Sequence, residues 1–299
     1  LSIYMFITLI GISLGTLLLN FSSPEKYEPF ILISLLLSLA LIPILLTKRK
    51  APKFKKLGYI DIKGLYKTSP LGTVSMFCTG IIHSALFSLG AVYAASMNFT
   101  IFEISLLLFV VTVSGGLFQW PVGYYSDKTD RRIIIIFCTF LAALFAFLSI
   151  VASGSSLENM YLATSIGIDK IIFFIYVSIY AGMAIPLFTL NLAYVNDYIP
   201  KEKFVAAGGG MQIIFGLGAI TGPLICSIIM NKFGPNGFFV HLLFFHLIIG
   251  IFGLYRITKR TYKDNPESTF TPLPRNITPL GIELDPTSGA DISSTDNKK

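Results

Sequence analysis

Apolar residues run in long, nearly unbroken stretches separated by short polar or charged connections. The stretches fall near residues 1–19, 30–47, 71–97, 101–124, 133–153, 170–195, 205–230 and 238–256. As an α-helix, about 20 apolar residues cross a hydrocarbon core of roughly 30 Å. Backbone groups in lipid find no water to pair with, so only helices and closed barrels span it. These runs are too long and too continuously apolar for barrel strands. The pattern predicts an all-α polytopic membrane helical bundle with eight spans.

Composition agrees. Of 299 residues, 54% are hydrophobic and only 13% charged, about half the charged share usual for a soluble domain. The mean hydropathy is +0.72. That much apolar surface cannot be hidden behind so little polar surface in water. A soluble enzyme, a nucleic-acid-binding domain and a disordered chain are excluded. Cys78, Cys138 and Cys226 all lie in apolar runs, and three histidines at no ligand spacing form no metal site. Neither a metal nor another cofactor is expected. The chain opens on Leu1, with no basic region before its first apolar run and no small-residue cleavage site after it. It does not read as a signal peptide, and an N-terminal part is expected to precede it.

The net charge of +7 is a matter of orientation. Lys48, Arg49, Lys50, Lys53, Lys55, Lys56, Lys63 and Lys67 lie between segments two and three. Lys128, Arg131 and Arg132 follow segment four, Lys201 and Lys203 follow segment six, and Arg256, Lys259, Arg260 and Lys263 follow segment eight. The alternate connections hold Lys26, Lys170 and Lys232. Seventeen against three places the first set in the cytoplasm. Membrane lipid, and no nucleic acid, is the expected surroundings of this charge.

The basic 48–70 connection divides the chain into two spans before it and six after it. Residues 1–47 are therefore expected to be the last two spans of an N-terminal bundle, 48–70 a cytoplasmic linker, and 71–258 a six-span C-terminal bundle. The polar, proline-dotted stretch 259–299 is expected to be a disordered cytoplasmic tail.

Segment four ends in Gln119-Trp120-Pro121-Val122-Gly123-Tyr124-Tyr125-Ser126-Asp127-Lys128-Thr129-Asp130-Arg131-Arg132. This resembles the signature loop of the major facilitator superfamily, with Gly123, Asp127, Lys128, Arg131 and Arg132 on the motif and Asp130 where the family usually has glycine. The stretches Asn191–Pro200, Ala206–Pro223 and the tail around Thr271–Arg275 and Glu283–Pro286 are similar to the YcaD-type bacterial subgroup. The resemblance implies a secondary active transporter moving a small molecule across the inner (plasma) membrane by alternating access, as a monomer, with protons as a coupling candidate. A polytopic membrane enzyme or a transporter-derived receptor is the alternative. The enzyme would need ionisable residues clustered near one membrane face, and none is seen. In the resembled family the loop carboxylate meets the start of a helix of the opposite bundle. Here that target is the start of segment one, near Leu1, and Asp127 is the expected latch, with Asp130 as the N-cap of segment five.

Other positions carry weaker chemistry. Ser75, Thr79 and His83 are four apart and share one face of segment three. The resemblance aims that face at a central substrate cavity. Tyr180, near mid-depth of segment six, and the amides Asn191 and Gln212 are further cavity candidates, with Gln119 as a packing amide. Gly218 and Gly222 form a small-xxx-small pair. With Gly216 and Pro223 they suit either static packing or a gating helix. His241 and His246 are read as structural, and Glu103, Asp169 and Lys170 sit at outer helix ends without assigned chemistry. No Asp or Glu stands at mid-depth of any span.

The orientation is directly testable. In a chain lacking its three native cysteines, Lys55→Cys, Thr129→Cys and Ala290→Cys should each resist an impermeant thiol reagent in intact cells. Rapid labelling of any one would invert the topology.

Overall fold

The structure is a computed structural model, and it describes residues 2–22, 25–46, 62–156, 168–200, 203–259 and 270. In chain order the helices are α1 (Ser2–Leu17, followed by a 3-10 turn at Leu18–Asn20), α2 (Glu28–Leu46), α3 (Ile62–Thr68), α4 (Pro70–Ser96) and α5 (Ile101–Lys128). Then come α6 (Arg131–Ser156), α7 (Ile168–Ala184), α8 (Leu187–Asn196), α9 (Phe204–Phe233) and α10 (Gly237–Lys259). No strand occurs among the described residues. Six spans among them are long and apolar enough to cross a membrane: α4, α5, α6, the α7–α8 pair, α9 and α10. Both expected spans of the first 47 residues are helical, and the apolar stretch of the second, Glu28–Pro43, is shorter.

Local chemistry sets the helix ends. Pro70 occupies the first turn of α4, where its missing N–H costs nothing. Thr100 caps α5 in a reciprocal box. Its N–H donates to Glu103 Oε2 at 2.8 Å, and the Glu103 N–H donates to Thr100 Oγ1 at 3.3 Å. Glu103 also accepts from Lys170 of α7 at 2.6 Å, joining the starts of the two helices. Asp130 caps α6, its Oδ1 accepting from the Arg132 N–H at 2.9 Å, as expected.

Helix α4 is central. It packs most extensively on α9, and also on α10, α8 and α5. Helix α6 is held between α10 and α7, and α1 lies along α5. Asn20 donates to Ser105 Oγ at 2.7 Å, pinning the turn after α1 to the first part of α5. Tyr93, Phe173, Phe238 and Phe239 pack ring on ring where α4, α7 and α10 meet, with centroids 5.0–6.2 Å apart. Leu117 on α5 and Ile220 and Ile228 on α9 stay exposed, as suits helices solvated by lipid or by further helices.

The α4–α9 crossing is backbone on backbone. A methyl group on Gly218 would run into the Phe77 carbonyl oxygen, one on Gly222 into that of Ile81, and one on Gly80 into that of Phe215. Where lipid offers no hydrophobic push between helices, such close approach supplies the van der Waals contact that holds them. Gly216 has nothing within 4 Å and takes no part. Pro223 lies inside α9, which continues on both sides of it.

Three features depart from the sequence reading. Segment six is two helices rather than one: Pro186 has no N–H to continue the ladder, so α7 ends at Ala184 and α8 begins at Leu187. The last part of the 48–70 linker is helical, and α3 packs on α4 and α9 with Leu65 fully buried. Its first part lies outside the described residues. Tyr125 to Lys128 belong to the last turn of α5, so the motif spans two helix ends and only Thr129 and Asp130 connect them.

Replacing Gly218 by leucine should destabilise the fold by about 1–3 kcal/mol or more, because neither backbone can recede. Gly216→Ala should stay within about 1 kcal/mol of the parent. Thermal unfolding of detergent-purified protein checks both, and equal melting temperatures for Gly218→Leu and the parent would refute the tight crossing.

Candidate functional site

Two arrangements of polar groups interrupt the apolar interior. The first lies at one end of the bundle, where α5, α6 and α8 meet. Arg131, at the first turn of α6, is 5% exposed. Its Nη2 donates to Asp127 Oδ1 at 2.7 Å, and its Nη1 donates to the Ala193 carbonyl at 3.1 Å and to Asp197 Oδ1. One guanidinium thus joins the end of α5, the start of α6 and the end of α8. Taking an arginine out of water is expensive, and two close carboxylates and a carbonyl on its terminal nitrogens offset that cost. Its fixed fork of donors suits three acceptors better than an ammonium would. Beside it Arg132, 4% exposed, is held by Asp130, with Nε 2.9 Å from Oδ2 and Nη2 2.5 Å from the same oxygen. Lys128 lies over the Tyr124 ring, 4.0 Å from its centroid. Gly123 is one turn before Asp127, and the ring of Phe270 covers it.

The motif residues are therefore brought together, as their spacing suggested. Asp197 joins them although the sequence reading gave it no role. Its signal was present: it is the only acidic residue between Asp169 and Glu202, at the end of an apolar run. The expected target near Leu1 lies outside the described residues.

The second arrangement is a polar seam along α4, α8 and α9. Asn191 Nδ2 donates to Thr79 Oγ1 at 3.1 Å. His83 Nε2 lies 2.9 Å from the Ala184 carbonyl. A carbonyl only accepts, so Nε2 carries the proton. Ala184 sits at the α7–α8 break, and the histidine supplies the donor its carbonyl meets there. Broken membrane helices persist where neighbouring side chains satisfy the backbone in this way. The His83 ring also meets Phe215 of α9 edge-on at 5.9 Å.

This placement corrects the cavity reading. Ser75, Thr79, His83 and Asn191 are all 0% exposed. The stripe faces inward, between helices of the six-span unit, and not along an open wall. The physical reason is the break at Pro186, which creates a demand for hydrogen bonds inside the unit. Tyr180 is corrected too: it is fully buried and packs edge-on against His246, at 5.4 Å, and Phe239 of α10. It turns toward the last helix of the unit. Gln212 is half-buried on α9. His241 and His246 are buried in α10, and the Nδ1 of His246 contacts the Leu242 carbonyl at 2.7 Å. Among the described residues no group of three or more His, Cys, Asp or Glu could hold a metal ion.

Comparison with known proteins adds the lineage. Residues 1–190 match the Major Facilitator Superfamily. An uncharacterized MFS-type transporter of Yersinia enterocolitica is 22% identical over 272 residues, covering 90% of this chain and 65% of the relative. The uncharacterized MFS-type transporter YcaD of Escherichia fergusonii is 21% identical over 242 residues, covering 80% of this chain and 59% of the relative. The chain thus spans less than two thirds of the length of these relatives. No solved structure matches it significantly.

Replacing His83 by phenylalanine removes the donor to Ala184 while filling the space. Leaving a buried carbonyl without its partner costs about 1–3 kcal/mol, so the melting temperature should fall and amides at 183–188 should exchange faster. An unchanged exchange pattern at the break would show that the histidine does not hold it.

Proposed function

Since the chain belongs to the Major Facilitator Superfamily, we propose that it is part of a secondary active transporter that carries a small molecule across a bacterial inner membrane by alternating access. In this reading residues 71–258 form one six-span bundle and residues 1–47 contribute two spans to the other, with the two bundles rocking about a site near mid-depth. The observation that carries the reading is the Asp127–Arg131–Asp197 cluster. It sits at one membrane face and joins three helix ends into one block. Such a block suits the cytoplasmic rim of a moving bundle better than a reaction centre.

Asp127 is the member suited to sense the state of the transporter. Its side chain is 33% exposed, against 11% for that of Asp197, so it can reach outward while Arg131 stays anchored by Asp197 and Ala193. A contact from the opposite bundle made only in the closed state would shift the balance between states by its differential strength. In the same reading His83, Thr79 and Asn191 hold the bend of the broken span. Gln212 is the remaining candidate for the substrate cavity, and Gly123, Lys128 and Arg132 shape the rim.

Asp127→Asn keeps size and removes the charge. A loss of about 1–2 kcal/mol in one state changes its population roughly 5- to 30-fold. In inside-out vesicles of the full-length protein, Gln212→Cys should then react severalfold faster with an impermeant maleimide when Asp127→Asn is added, with the amount of folded protein unchanged. An unchanged rate would remove the latch, and a Gln212→Cys variant labelled from neither face would remove the cavity assignment.

A further inference from the structure

One residue beyond the last helix has a defined seat. Phe270 lies eleven positions after Lys259, and its ring sits on Gly123 of α5 so closely that a methyl group there would strike the ring. The ring also packs against the main core cluster. The Phe270 N–H donates to Asp127 Oδ1 at 2.8 Å, the oxygen that also accepts from Arg131. Ring and amide therefore engage two residues one helical turn apart, which is a two-point attachment and not a grazing contact.

Sequence and geometry agree on this seat. Between Lys263 and Lys299 Phe270 is the only aromatic residue, so it is the one side chain there able to bury a large apolar face. Pro266, Pro272 and Pro274 flank it and restrict the chain around it, lowering the entropy lost on docking. Eleven residues reach at most about 36–40 Å, ample to pass from the end of α10 to the end of α5 on the same membrane face.

We propose that the cytoplasmic end of α5 is a docking site for the chain's own tail, with Phe270 as the anchor, Gly123 as the slot and Asp127 as the acceptor. The docked Phe270 then occupies one oxygen of the Asp127 carboxylate, which stays partly exposed. If the latch reading above holds, on which this consequence rests, a docked tail and a contact from the opposite bundle compete for Asp127. The docking itself needs no transport to be measured.

Hydrogen–deuterium exchange on the full chain in lipid nanodiscs tests it. In the parent, the tail segment containing Phe270 should exchange at least about tenfold more slowly than free peptide, and the segment from 285 onward at the free rate. Phe270→Ala and Gly123→Leu should each abolish the protection while α5 and α6 stay protected. Should Gly123→Leu fail to fold, Asp127→Ala tests the same contact. Free exchange at Phe270 in the parent, or protection that survives filling the slot or removing the acceptor, would overturn the proposal. Loss of the Asp127 latch effect with tail protection intact would count against the transport reading alone.

Discussion

A guanidinium buried at the end of a lipid-solvated bundle has to be neutralised where it lies, and the arrangement of that end follows from the demand. Arg131 is only 5% exposed. It is held by Asp127 from the preceding helix, and by Asp197 and the Ala193 carbonyl from α8. Those acceptors and the arginine come from three different helix ends, so satisfying one cation fixes the relative positions of all three. Asp130 serves the neighbouring Arg132 and caps α6 at once. The connection between α5 and α6 can then be only two residues long.

The same logic governs the interior. Pro186 breaks a membrane span, and lipid offers nothing to its displaced backbone groups. His83 of α4 answers this at the Ala184 carbonyl, and nearby Thr79 of the same helix accepts from the Asn191 side chain. Helix α4 therefore lies close to the α7–α8 break, and it also packs on α9. Gly80, Gly218 and Gly222 permit the second approach by removing every atom that would stand between the backbones. Hydrogen bonds thus tie α4 to the α7–α8 break, and small residues tie it to α9.

Much of this was legible in the sequence because the bilayer imposes so simple a rule. Long apolar runs located the helices within a few residues. The Gly123 to Arg132 spacing announced a charged cluster, and the pair Asp130 and Arg132 stands as the capping rule required. What was missed depends on tertiary partners. Periodicity put Ser75, Thr79 and His83 on one face but could not say which neighbour that face meets. Tyr180 was placed by depth alone, and rotation about the helix axis decided against it. Asp197 and Phe270 sit 70 and 143 residues from Asp127 in sequence, beyond any local pattern, though each stands out as the sole residue of its kind nearby. Pro186 was visible in segment six, and a proline inside a span is the signal that could have announced its break.

The central claim is that Arg131 and Asp197 are energetically one unit that joins α6 to α8. A double-mutant cycle with Arg131→Met and Asp197→Leu, read as unfolding free energy in mixed micelles, measures this directly. Removing one partner of a buried pair costs about 3–5 kcal/mol, whereas replacing both by apolar groups is far milder. The expected result is a coupling well above about 1 kcal/mol, with the double variant more stable than the sum of the single losses predicts. Losses that add to within about 0.5 kcal/mol would show two independent charges, and Arg131 would not be what joins α6 to α8.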